Sequence, residues 1–103
     1  MEAFQFKRAP AVSKSIADIN PEKDIRVRIL GRVIDKGEGM MVVDDGSSKA
    51  EIVTDSDKAD AGDTVRVIAR VLPLESGYEL RAEIIQDMSK LDMELYRKAA
   101  KVL

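Results

Sequence analysis

The residues best placed for chemistry are Asp44 and Asp45, adjacent carboxylates followed by Gly46-Ser47-Ser48 between two apolar runs. Paired carboxylates can hold a metal ion or divide general acid–base work. A metal needs convergent ligands, however, and neighbours on a strand point to opposite faces. The 103 residues contain no histidine and no cysteine, so the usual zinc ligands and nucleophile–base pairs are missing. Asp-Gly between apolar runs is instead a hairpin signal, because glycine accepts positive φ and an Asp side chain bonds its own turn. The pair is read as turn chemistry. No catalytic, metal or cofactor site is expected, and the chain is not expected to be an enzyme.

Two other stretches fail the same test. With Asp55 as position 1 of a calcium loop, the glycine position falls on Asp60 and the final glutamate position on Arg66. Asp55 to Asp63 is therefore read as a solvated acidic connection. Gly37 and Gly39 begin a phosphate-loop pattern, but the third glycine position is Val42.

The basic residues carry more. Arg26 and Arg28 share one strand face, as do Arg66 and Arg70 further along, and Arg81 lies on the last strand. Glu51, Glu79 and Glu83 occupy outward positions nearby, so cross-strand ion pairs account for much of this charge. The functional reading is a groove that tracks a single-stranded nucleic acid, with Arg26, Arg28, Arg32, Lys36, Lys49 and Arg81 as candidates. Charge balance argues for weak binding: residues 17–86 hold ten bases and fifteen acids, a net of −5.

These side chains must be positioned by strands. "DIRVRILGRVID" sets Ile25, Val27 and Ile29 against Arg26, Arg28 and Leu30, with Gly31 marking a bulge or bend in mid-strand. "GMMVVDD" and "KAEIV" follow, the latter with Ala50 and Ile52 on one face. The fourth strand groups Val65, Val67, Ala69 and Val71, and the fifth groups Tyr78, Leu80, Ala82 and Ile84. Turn residues separate them, and Ser15 to Ile19 reads as a single turn closed by Asn20-Pro21. Five strands, the first long and broken by glycine, predict an all-β five-stranded OB-fold barrel with a C-terminal α-helix. An SH3-like barrel is the competitor. The predicted division is an extended arm over 1–14, the barrel over 15–86 and the helix over 87–103. On the face where an OB-fold holds oligonucleotides, Met41 or Val43, Lys49 and Glu51 are expected, with no aromatic platform. Tyr78 is assigned to the core.

In the helix, Leu91, Val102, Leu95, Met88 and Ala99 fall within an arc of roughly 80°, at about 100° per residue. Tyr96 and its apolar neighbours widen the stripe to roughly 200°, more than one barrel needs to cover. The plainer reading is a wide stripe that folds back onto its own barrel. The sharper one is packing against partner helices, with Met88, Leu91, Leu95, Tyr96, Ala99 and Val102 as the candidate contacts.

"VRILGRVIDKGEGMMVVDDGSSKAEIV" resembles the OB-fold core of archaeal replication protein A subunits, and "AGDTVRVIARV" is similar to that family's approach to its fourth strand. Arg8-Ala9-Pro10-Ala11 resembles an Arg-x-Pro-Ala signature of archaeal accessory subunits. Length and terminal helix match the small subunit of the heterotrimer. The resemblance implies a three-helix bundle joining the subunits, with Leu91, Leu95, Tyr96, Ala99 and Val102 as bundle contacts. It implies a part in DNA replication, repair and recombination, with single-stranded DNA reached through the complex. The expected function is therefore a non-catalytic assembly subunit with weak DNA contact of its own. The alternatives are a stand-alone or homodimeric single-stranded DNA- or RNA-binding module, or a telomere-capping-type OB subunit. Nothing at the N-terminus resembles a secretion signal, so a cytoplasmic, nucleoid-associated place is expected, with no membrane partner.

Overall fold

The computed structural model describes residues 10–56 and 58–88. The elements are β1 (Val12–Ser13), a 3₁₀ turn (Ile16–Asp18), β2 (Arg26–Gly37), β3 (Met40–Asp44), β4 (Lys49–Val53), β5 (Thr64–Pro73) and β6 (Tyr78–Asp87). The sheet runs β1-β2-β3-β4-β6-β5, and β5 returns to pair with β2. Five strands therefore close a barrel. β2 supplies both sides of the closure, pairing with β5 from Arg26 to Arg32 and with β3 from Arg32 to Gly37. β4 and β6 run parallel, and the other barrel pairs are antiparallel. This is the OB arrangement, and the SH3-like alternative gives way to it.

Alternation places the core. Val27, Ile29, Val33, Met41, Val43, Ile52, Val65, Val67 and Leu80 are the largest fully buried side chains. Each such aliphatic contributes about 1.5–3 kcal/mol relative to an exposed position. Ile16 and Ile19, beside the 3₁₀ turn, and Ala59, from the β4–β5 connection, join the same cluster. The connection thus seals the interior through one small residue. It is also held to the barrel, with Gly62 N–H donating to Val33 O at 2.7 Å and Val33 N–H to Asp63 O at 2.8 Å.

Several details differ from the sequence reading. β2 is continuous through Gly31, and the register shift comes later, between Val33 and Asp35. Gly31 is required for a different reason: a Cβ there meets Asp44 O and Val43 Cγ1, each at 2.7 Å. Ile25 lies just before β2 and is exposed. In β6 the register skips Glu83, since Ile68 pairs with Ile84 and Ala69 with Ala82. That bulge reverses the alternation, so Ile85 turns inward and Ile84 stands 47% exposed. β6 extends through Asp87, and Met88 N–H donates to Thr64 O at 2.7 Å. Asp87 and Met88, assigned by the sequence to the helix over 87–103, thus end β6 and prolong its ladder. The rest of the expected helix, with Leu91, Leu95, Tyr96, Ala99 and Val102, lies outside the described residues. Of the arm, Val12–Ser13 is an added strand, parallel to the start of β2.

Candidate nucleic-acid interface

Directly paired residues project to the same side of a sheet, so the register sorts the outward side chains into rows. Across the second half of β2, β3 and β4, one row is Arg32, Asp44 and Lys49. The next is Asp35, Val42 and Glu51, and the third is Gly37, Met40 and Val53. This is the face on which OB-folds hold oligonucleotides. Its centre is aliphatic, and its rim sets Arg32 and Lys49 beside Asp44, with Asp35 and Glu51 one row away. Met41 and Val43, expected here, are buried inside. Their neighbours Met40 and Val42 take the outer positions, because the tight turn at Gly39 (φ +70°) fixes the parity of β3.

The other outward surface spans the first half of β2, β5 and β6. Arg26, Arg70 and Arg81 form one row, and Arg28, Ile68 and Ile84 the next. Leu30, Arg66 and Gln86 form a third. The guanidiniums are tethered by local acceptors. Arg26 lies 2.7 Å from Glu83, and Arg81 is bound by Glu79 on its own strand. Arg28 Nη1 donates to Ser13 Oγ at 3.1 Å, and Arg66 Nε to Gln86 Oε1 at 2.7 Å. Contact with Glu79 raises the Arg81 pKa further, so it stays charged throughout.

The six candidate cations are therefore not one groove. Arg32 and Lys49 share the β2–β3–β4 face, whereas Arg26 and Arg28 share the opposite one. Arg81 stands at the seam, registered with Val53 of β4 on one side and Arg70 of β5 on the other. Lys36 is drawn away from both, its Nζ 3.4 Å from Asp60 of the β4–β5 connection. No aromatic side chain stands among these outward rows. Tyr78 packs against the core, as assigned, and burial raises its pKa.

The Asp44-Asp45 stretch is turn chemistry, and more. Gly46 adopts φ +93°, and its N–H donates to Asp44 Oδ1 at 2.8 Å. Asp45 Oδ1 accepts from Ser47 N–H at 2.9 Å, Ser47 Oγ at 2.6 Å and Ser48 N–H at 3.2 Å. Its Oδ2 reaches across the chain to Ile16 N–H at 2.8 Å, and Ala17 N–H donates to Ser47 Oγ at 3.2 Å. The hairpin thereby caps the N-terminus of the 3₁₀ turn that buries Ile16. Partial burial pushes the Asp45 carboxyl up, but the Ser47 hydroxyl and the N–H groups of Ile16, Ser47 and Ser48 outweigh it and hold its pKa below the ordinary value. Sequence reasoning identified the turn and missed its long-range partner, which lies 29 residues away. Among the described residues no group of three or more acidic side chains is placed to hold a metal ion.

The chain is similar to several solved structures. It matches the telomere capping protein Ten1 from Saccharomyces pombe with a TM-score of 0.69 at 22% identity, covering 89% of this chain and 95% of that one. A chain of the S. pombe Stn1–Ten1 complex matches at 0.71 and 21%, covering 92% of each. A chain of U. maydis replication protein A bound to ssDNA matches at 0.68 and 17%, covering 93% and 91%. No protein-family model and no curated protein sequence matches. At these identities the likeness establishes the fold alone, an OB barrel.

Proposed function

We propose that this chain is a non-catalytic OB-fold subunit of a single-stranded-DNA-binding complex of the replication protein A kind. Its main work is assembly through residues 87–103, with weak DNA contact of its own. One observation carries the reading: the face placed for an oligonucleotide has an aliphatic centre, a rim of mixed charge and no stacking platform. Strong sequence-tolerant binders use aromatic side chains worth ~1–3 kcal/mol per stacked base and a continuous cationic path. This face offers neither, which suits a subunit whose DNA is held mostly by its partners. The similarity to a replication protein A chain over most of both chains supports the reading. The matches to Ten1 support a telomere-capping-type subunit to the same degree.

In either complex the chain acts as one OB subunit, with Leu91, Leu95, Tyr96, Ala99 and Val102 as its contacts to partner helices. Archaeal source, heterotrimer stoichiometry and a cytoplasmic, nucleoid-associated place belong to the replication form of the proposal. Affinity purification of the native chain is the test, run beside a chain ending at residue 87. The full chain is expected to bring down OB-fold subunits at fixed stoichiometry, and the shortened one to lose them. Unchanged assembly without 88–103 rules out this mechanism. Titration of the isolated chain with labelled oligonucleotide separates the alternative, since submicromolar binding with a steep salt slope marks a stand-alone module.

A further inference from the structure

The outward surface of β2, β5 and β6 has a composition that DNA binding by the opposite face does not explain. Arg26, Arg28, Arg66, Arg70 and Arg81 stand there against Glu79 and Glu83, a local surplus of three positive charges. The body of the chain is net acidic, so this surplus is concentrated by the fold. Between the arginine rows runs an aliphatic stripe: Ile84 is 47% exposed, and Ile68 and Leu30 are half-buried beside it. The Glu83 bulge puts Ile84 on this surface, where regular alternation would have buried it.

We propose that this face docks an acidic amphipathic peptide segment of a partner protein, its apolar side chains on the Ile68–Ile84 stripe and its carboxylates on the flanking arginines. Guanidinium forks match carboxylates with two parallel hydrogen bonds. Arg26 and Arg81 already hold Glu83 and Glu79, so the partner's carboxylates fall to Arg28, Arg66 and Arg70, which surround Ile68 on two adjacent strands about 4.8 Å apart. Neither end of this chain complements the surface. Residues 89–103 carry Lys90, Arg97, Lys98 and Lys101 against Asp92 and Glu94, and residues 1–9 carry Lys7 and Arg8 against Glu2. Both ends are basic. Arginine also pairs with phosphate, but the apolar stripe here is aliphatic and offers bases nothing to stack on.

The test uses the full chain and a fluorescein-labelled peptide with a leucine stripe flanked by glutamates, followed by anisotropy and by isoleucine methyl NMR. Binding is expected to weaken steeply with salt, and the methyl resonances of Ile68 and Ile84 to shift. The Arg66→Glu/Arg70→Glu double variant, at surface positions outside the oligonucleotide face, is expected to stay folded by circular dichroism and to bind about tenfold or more weakly, a loss of roughly 1.4 kcal/mol or more. Ile84→Ser tests the apolar half independently and is expected to lower affinity with the arginines intact. Three results overturn the proposal. One is absence of peptide binding at low salt. Another is oligothymidylate shifting Ile68 and Ile84, which assigns the face to nucleic acid. The third is self-association of the chain that the double variant abolishes, which assigns the face to a second copy. None of these outcomes bears on assembly through 87–103, so the two proposals fail separately.

Discussion

The two outer faces of this barrel are built from the same long strand and differ in almost every surface property. On the β2–β3–β4 face, Arg32 and Lys49 are interleaved with Asp35, Asp44 and Glu51, and the field largely cancels. On the β2–β5–β6 face, arginines line up in register and the acids are too few to neutralise them. β2 crosses from one face to the other at Gly31 and Arg32, so one strand supplies cations to both. The comparison shows how a chain of net charge −2 can present a strongly cationic surface. Register sums charges across strands, whereas composition only sums them along the chain.

The largest expected effect strikes the crossing point. Gly31→Ala puts a methyl group 2.7 Å from the Asp44 carbonyl, so β3 must move off β2. Overpacking of this kind costs about 1–3 kcal/mol, read as a lower urea midpoint. An unchanged midpoint means that β3 packs on β2 more loosely than the close approach at Gly31 indicates.

Next comes the hairpin at one end of the β2–β3–β4 face. Asp45→Ala removes the acceptor of Ile16 N–H and of the Ser47 and Ser48 donors, at a cost of about 1–3 kcal/mol. Because the folded carboxyl lies below its ordinary pKa, the stabilisation is present above about pH 4 and is lost as pH falls through the folded value. The wild type should therefore lose more stability than Asp45→Ala on acidification in that range. Parallel unfolding curves at each pH remove the assigned role. Arg66→Glu/Arg70→Glu on the opposite face should leave this difference intact.

The smallest effect concerns DNA. Arg32→Glu with Lys49→Glu should weaken oligonucleotide binding only a few-fold, with the log–log salt slope falling by about 1–2. Arg66→Glu/Arg70→Glu should change the slope by less. The reverse order moves the DNA path to the arginine face.

Much of the fold was legible in the residues. Val65, Val67, Ala69 and Val71 alternate without a break, and all are buried. Asp45-Gly46 marked its turn. Where the reading failed, the cause was a change of parity. Period two counted through Glu83 groups Ile84 with Leu80, yet a bulge is defined by the partner strand and leaves little trace in its own. Gly31 stands out in the sequence as a break in the strand, but its reason is the approach of Asp44, thirteen residues later. The candidate site was legible as a list of cations and not as a place, since Arg81 and Lys36 part company only once β6 and the β4–β5 connection are set.

The sequence alone determined the strands, the acidic hairpin, the apolar interior and the lack of histidine or cysteine chemistry. These depend on local alternation, turn residues and composition, which act within a few positions along the chain. Tertiary structure decided which cations stand together, which isoleucine faces water and what Asp45 holds. Those depend on cross-strand register, and register links residues that lie tens of positions apart.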